Sequence, residues 1–331
     1  MGRDGSPGPA EEARAASGAA RFPDFIIGGA PKCGTTSLHF ILDQHPDIAL
    51  PDDEIHYFDA DDPITHPDFF FDEGGRLIYY DARSDNAAFR ARYAARFAPF
   101  AGSPLIGEDS TTYLFSAAAP TRIKALLPDA RLVFMLRDPV ARAYSQYWHL
   151  VKSARATESF ERSLRSFPGI VLGSTYLQHL ERYRALFGRD RVKVVLFEDF
   201  VADNQRAVDE VTDFLGAARM EVKPEKAWFN RTEYPTSLGA QLALNRVGRR
   251  VAALRYADHL ASRGGARAWL ANKIHYHWFA RINPIFLKAA RPPKMREETR
   301  AYLVEHFSRR NDGLSAFLDR DLAAIWPGFA G

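Results

Sequence analysis

The segment Phe25-Ile26-Ile27-Gly28-Gly29-Ala30-Pro31-Lys32-Cys33-Gly34-Thr35-Thr36-Ser37 constrains this chain more than any other. An apolar run ends in glycines, and Leu38, Phe40, Ile41 and Leu42 follow at helical spacing. That pattern predicts a strand, a tight turn and a helix. A chain that turns in this way aims backbone N–H groups and the positive end of a helix dipole at one point, where phosphate or another oxyanion binds. Lys32 adds a cation inside the loop, and Thr35, Thr36 and Ser37 add hydroxyl donors. A plain turn that uses glycine for geometry and Thr or Ser for capping has the same composition, so the loop alone leaves both readings open.

Two further apolar runs, Arg131 to Leu136 and Arg191 to Phe197, read as buried strands next to segments with helical periodicity. Strands alternating with helices predict an α/β fold with a parallel sheet. A helix is expected from Pro139 to about Lys152, since Asp138 is a good N-cap and proline suits the first helical position. Thr175 to Phe187 and Asn204 to Leu215 also read as helices, the second stopped by Gly216, and residues 295–322 repeat the helical pattern. Residues 55–100 read as long connections with a short helix.

Of the 331 residues 46% are hydrophobic and 26% charged, enough for a sizeable core, and no internal repeat or mid-chain linker divides them. One main domain, residues 22–331, is expected behind a disordered tail, 1–21, whose small and charged residues cannot form a signal-peptide core. A net charge of +3 demands neither nucleic acid nor a membrane as partner. The single cysteine, Cys33, excludes an intramolecular disulfide and a Cys-rich metal site and fits a reducing compartment. Charges break every run that approaches the roughly 18 apolar residues of a membrane span, so the cytoplasm is the default location. The exception to the even charge is a basic helical insertion at about 239–290, with nine Lys or Arg and one acidic residue, Asp258. It suits an anionic acceptor or peripheral contact with membrane headgroups, or is simply a solvated basic face.

Gly29 and Gly34 have the four-residue gap of the nucleoside-triphosphate P-loop, which makes a kinase the first rival reading. That loop needs Lys directly after the second glycine, where this chain has Thr35, and its lysine stands inside the loop at Lys32. Arg137 ends an apolar strand, where open α/β sheets place ligand contacts, and Ser145 follows eight residues later, about two turns into the expected helix. Guanidinium and hydroxyl together suit one phosphate.

With these residues in view, the chain resembles the sulfotransferases that use 3′-phosphoadenosine 5′-phosphosulfate (PAPS), in particular the heparan-sulfate-type branch and its soluble bacterial relatives. Pro31-Lys32-Cys33-Gly34-Thr35-Thr36-Ser37-Leu38 matches the family's 5′-phosphosulfate loop, and Arg137-Asp138-Pro139 with Ser145 matches its 3′-phosphate motif. Between them stand His45-Pro46-Asp47 and Glu54-Ile55-His56-Tyr57-Phe58, where the family carries its general base. The likeness continues through Gly107 to Tyr113 and Phe197 to Phe200. It implies a P-loop-like three-layer fold, a central parallel sheet flanked by helices. It implies metal-independent, in-line transfer of a sulfuryl group from PAPS to a hydroxyl or amine of a carbohydrate, lipid or secondary metabolite.

In that reading Lys32 stabilises the leaving oxygen, Glu54 takes the acceptor's proton, and His56 orients the acceptor or shares the proton. Pro31, Lys32, Cys33, Gly34, Thr35, Thr36, Ser37, Arg137 and Ser145 bind the nucleotide, and no metal site is expected. Some heparan-type members have lysine where this chain has Asp109. Cys33 is expected as a small loop filler, His275 and His277 as no metal site, and Phe69, Phe70 and Phe71 as core or cleft wall. A non-catalytic anion- or membrane-binding protein is the remaining class; the presence of Lys32 and Glu54 argues against it.

Overall fold

The computed structural model describes residues 21–66, 71–73, 76–78, 87–223, 233–259, 266–289 and 291–329. Five parallel strands, β1 (Phe25–Gly29), β2 (Ile48–Ala49), β3 (Leu105–Asp109), β4 (Arg131–Leu136) and β5 (Val192–Leu196), form one sheet in the order β2-β3-β1-β4-β5. Phe25 pairs with Gly107 on one side and Arg131 on the other. β1 is buried along its whole length and β4 after its first residue. Continuous apolar runs are what a sheet covered on both faces requires.

The chain builds β2 and β3 on one side of β1 and then crosses to β4 and β5 on the other. Loops leaving the carboxyl ends diverge at such a reversal and open a crevice. The glycine-rich loop leaves β1 at that point, and Arg137 follows β4 beside it. The position of the site is therefore a consequence of strand order.

The helices that matter are α1 (Thr35–Leu42), α2 (Pro139–Lys152), α3 (Tyr176–Phe187), α4 (Asn204–Leu215), α5 (Leu238–His259), α6 (Ala266–His277) and α7 (Glu297–Arg310). α2 spans the expected residues, and the Asp138 carboxylate accepts from the Ala141 N–H at 2.7 Å. α4 ends at Gly216 in the left-handed region (φ 78°), as a C-terminal stop requires. The run 191–197 is shorter than expected, because Phe197 begins a short helix, Phe197–Ala202.

β3 was not legible as a strand, since it carries Gly107, Glu108 and Asp109 where a buried strand would be apolar. Glu108 is nevertheless fully buried: Tyr113 and Ser110 hydroxyls donate to its Oε1 at 2.6 and 2.8 Å, and the Tyr93 hydroxyl to Oε2. Three donors satisfy a carboxylate that burial pushes above its ordinary pKa. The expected tail lies outside the described residues apart from Arg21, which donates to the Ala101 and Pro104 carbonyls.

One apolar cluster runs through the sheet and its helices, and a second, including Tyr147, Trp148, Val151 and Phe307, joins α2 to α7. The basic insertion is fastened to the end of α2 by buried amides. Asn245 Nδ2 donates to the Val151 and Ala156 carbonyls at 2.9 and 2.8 Å, and Asn283 Nδ2 to the Lys152 carbonyl at 2.7 Å. The bonds to Val151 and Lys152 reach carbonyls in the last turn of α2, where a helix lacks its own donors.

Candidate active site

The loop between β1 and α1 has its shape from one glycine and two arginines. Gly34, which caps α1, lies at φ 91°, and a Cβ there would sit 2.9 Å from the Phe197 ring. Only glycine takes this conformation without strain. Arg137 Nη1 donates to the Lys32 carbonyl at 3.3 Å and Arg142 Nη1 to the Pro31 carbonyl at 3.4 Å. Arg142 is fully buried and also donates to Ser174 Oγ at 2.6 Å and the Gly169 carbonyl at 3.1 Å. The N–H groups of Thr35 and Thr36, in the first turn of α1, have no acceptor within a helix by position.

Beside the loop lies a cavity of about 1000 Å³. Of the residues expected to function, Pro31, Lys32, Thr35, Thr36, Glu54, His56 and Ser145 line it. Cys33, Gly34, Ser37 and Arg137 stand outside its lining. Arg137 instead stacks on the Phe197 ring at 4.7 Å while bracing the loop. Burial pushes the Cys33 thiol up to about 12, which agrees with a filler and not a nucleophile.

Glu54 and His56 form a contact pair, His56 Nε2 lying 3.0 Å from Glu54 Oε2, and the Thr111 hydroxyl donates to Glu54 Oε1 at 3.0 Å. The Glu54 side chain is 38% exposed and the His56 side chain 11%. Burial acts to raise the Glu54 pKa, but the hydrogen bond and charge of His56 outweigh it and hold the carboxyl below its usual value. Burial acts to lower His56, and Glu54 reverses that, so the imidazole lies above its usual value. Each partner thus favours the charged form of the other, carboxylate on Glu54 and imidazolium on His56. Desolvation, with Lys152 nearby, pulls Lys32 below the ordinary lysine value, and Glu54 opposes the shift.

Behind His56 the network continues. His56 Nδ1 is 3.2 Å from Thr112 Oγ1, which donates to Asp59 Oδ2 at 2.7 Å, and Asp59 Oδ1 is 2.8 Å from His66 Nε2. His56, Asp59 and His66 place one donor atom each within 4.8 Å of one another, a composition that suits a divalent metal. Here those atoms are engaged in the hydrogen bonds just given. Asp109 is buried against α1, 3.5 Å from His39 Nδ1, and burial raises it to about 6. It offers no cation where the heparan-type lysine would stand.

Sequence reading missed Asp59, His66, Thr111 and Thr112, which reach the pair only through folding. It also missed His149 and Lys152, which line the cavity beside Ser145. Their signal was present: 145, 149 and 152 fall on one helical face. Ala252, Asn272, His275 and Phe279 bring the basic insertion into the wall. Phe69 and Phe70 lie outside the described residues, as does the side chain of Phe71.

A model of the sulfotransferase family matches residues 23–221. This chain belongs to the sulfotransferase family. Human heparan sulfate glucosamine 3-O-sulfotransferase 6 is similar at 28% identity over 225 residues, 65% of this chain and 58% of that protein. Human heparan sulfate glucosamine 3-O-sulfotransferase 3B1 is similar at 27% over 238 residues, 69% of this chain and 54% of that one. The chain thus spans little more than half the length of these relatives. A crystal structure of a sulfotransferase from Alicyclobacillus acidocaldarius is 28% identical, with a TM-score of 0.59 over 92% of this chain and 99% of that one. The P-loop-like layering of a parallel sheet between helices agrees with this likeness.

Proposed function

We propose that this sulfotransferase-family chain moves a sulfuryl group from PAPS to an acceptor hydroxyl or amine. The observation that carries the reading is the shared cavity: Lys32 in the loop and the Glu54–His56 pair line the same space. Sulfuryl transfer needs a nucleophile in line, a stabilised leaving oxygen and positive charge on the equatorial oxygens, so positioning and electrostatics carry it. Glu54, kept ionised by His56, takes the acceptor's proton. Lys32 and the Thr35 and Thr36 hydroxyls stabilise the bridging oxygen as 3′,5′-ADP leaves. Ser145 and the guanidinium donors of Arg137 beyond the one spent on Lys32 hold the 3′-phosphate.

The protein's own cations answer the developing charge, so transfer is expected without added metal. The acceptor is a glycan, lipid or small metabolite; the curated relatives are named for heparan sulfate glucosamine, which makes a glycan one candidate. Residues 22–331 are read as one catalytic domain, since the insertion is tied to α2 by buried amides. The unpaired Cys33 favours the reducing cytoplasm. Incubation of the chain with labelled PAPS and a cell extract in EDTA should yield a labelled product, and 3′,5′-ADP should raise the melting temperature far more than 5′-AMP. Label transfer that requires Mg²⁺, or equal shifts with both nucleotides, would overturn the assignment.

A further inference from the structure

Ten large apolar side chains stand exposed among the described residues, and seven of them fall between Val247 and Ile285. That concentration is not scattered surface. Trp269, at 63% exposure, Leu270, Ile274 and Tyr276, at 67%, belong to α6, and Ile282 and Ile285 follow in the helical turns that continue it. At about 100° per residue, Trp269, Leu270, Lys273, Ile274 and Tyr276 share one side of α6 while Asn272 and His275 share another. The second side lines the cavity, together with Phe279. A helix that only walled the cavity would be polar on its outer side. This one is apolar there.

The charges on that surface are of one sign. Lys273 Nζ lies 4.9 Å from the Trp269 ring centre, and Arg281 and Lys288 are exposed farther along. Between residues 234 and 296 the sequence contains a single acidic residue, Asp258. Aromatic rings with a polar edge, aliphatic side chains and long cationic stems, without carboxylates, match the boundary between anionic headgroups and acyl chains. A second copy of the chain docking through the same face would oppose these cations to themselves. Nucleic acid would leave Leu270, Ile274, Ile282 and Ile285 without a partner. No helix of the described residues is long and apolar enough to cross a membrane, so the contact is with its surface.

We propose that the outer face of α6 and the turns after it docks on an anionic lipid surface, with the inner face of the same helix presenting the cavity to acceptors held there. The docking stands without the transfer reaction, and only the delivery of an acceptor rests on that reading. The attachment is firm enough to hold this geometry. Asn245 and Asn283 fasten the insertion to α2, and Trp278 packs so closely on α5 that a Cβ at Gly248 would lie 2.9 Å from its Nε1.

The test is sedimentation of the full chain with vesicles of phosphatidylcholine, with and without phosphatidylglycerol. The wild-type chain should pellet with the anionic vesicles and be released by salt. The double variant Lys273→Gln with Arg281→Gln should bind them about thirtyfold more weakly, at about 1 kcal/mol for each charge. Trp269→Ala with Tyr276→Ala should weaken binding about tenfold. Both should keep the 3′,5′-ADP melting shift, which shows that they fold. Wild-type protein that stays in solution, or variants that pellet as wild type does, would overturn the proposal. So would a dimer that Trp269→Ala dissolves, which would assign the face to a second copy. Vesicle binding by a chain that never transfers label from PAPS would support the docking and remove the transfer reading alone.

Discussion

The loop of residues 30–34 and the insertion of α5 and α6 border the same cavity and are held there in opposite ways. The loop is short, Ala30 and Cys33 anchor it in the core, and its geometry follows from Gly34 together with Arg137 and Arg142. The insertion is long, is tied to the rest by buried amides and by Leu242 packed on the cluster around α2, and leaves an apolar face outside. A site that must bind one fixed anion benefits from backbone donors that cannot move. A wall that meets a variable acceptor, or a surface, needs only to be placed. On the proposed function, the nucleotide side is set by local geometry and the acceptor side by where the insertion is fastened.

The largest expected effect lies on the loop. Lys32→Ala should lower the turnover of the acceptor found by labelling about 10³-fold, the size seen when a donor to a developing charge is removed. The melting temperature without nucleotide should not fall, because burial and then Lys152 disfavour the Lys32 ammonium more than Glu54 favours it. A loss below about tenfold would move the leaving-group role to Lys152, which lines the same cavity.

Next comes the proton. Glu54→Gln should reduce turnover about 10²-fold while sparing 3′,5′-ADP affinity. It should also change the pH dependence in a stated direction. The Glu54 pKa is depressed in the folded protein, so its share of stability is present above 4.5 and is lost as the pH falls through the lower folded value. The His56 pKa is raised, so its share is complete below 6.5 and is lost as the pH rises through the higher folded value. Melting curves should therefore show the wild type ahead of the variant between these limits and the two converging outside them. A constant difference at every pH would mean that the pair does not ionise as described.

The smallest effect tests the acceptor side. Asn245→Ala leaves the Val151 and Ala156 carbonyls without their amide partner and should lower stability by about 2 kcal/mol. It should raise the acceptor KM several-fold, read in steady-state kinetics, and leave the affinity for 3′,5′-ADP within about twofold. If nucleotide affinity falls and acceptor KM does not, the division between the two sides is wrong.

Much of the site was legible because its parts are local. A strand, a glycine and a helix start within 18 residues of one another, from Phe25 to Leu42, carry their own geometry, and Lys32 sits among them. The Asp138 cap and Pro139 fixed the start of α2 and with it the positions of Ser145, His149 and Lys152. The strand β3 escaped notice because its carboxylates resemble a loop until Tyr93, Tyr113 and Ser110 are seen to satisfy Glu108. Those donors come from outside the strand, so no pattern within it announces them.

Sequence by itself determined the α/β class, the strand, glycine-rich turn and helix that begin it, and the start of α2, because hydrogen bonding and helix capping act between residues close along the chain. Tertiary structure alone decided that Glu54 and His56 share a cavity with Lys32, that Thr112 and Asp59 link His56 to His66, and that Arg137 braces the loop from outside the cavity. It also decided which side of α6 the cavity takes. Apart from the short step between Asp59 and His66, these join residues tens of positions apart. Such contacts depend on strand order and on which surfaces are buried, and those are settled only when the whole core packs.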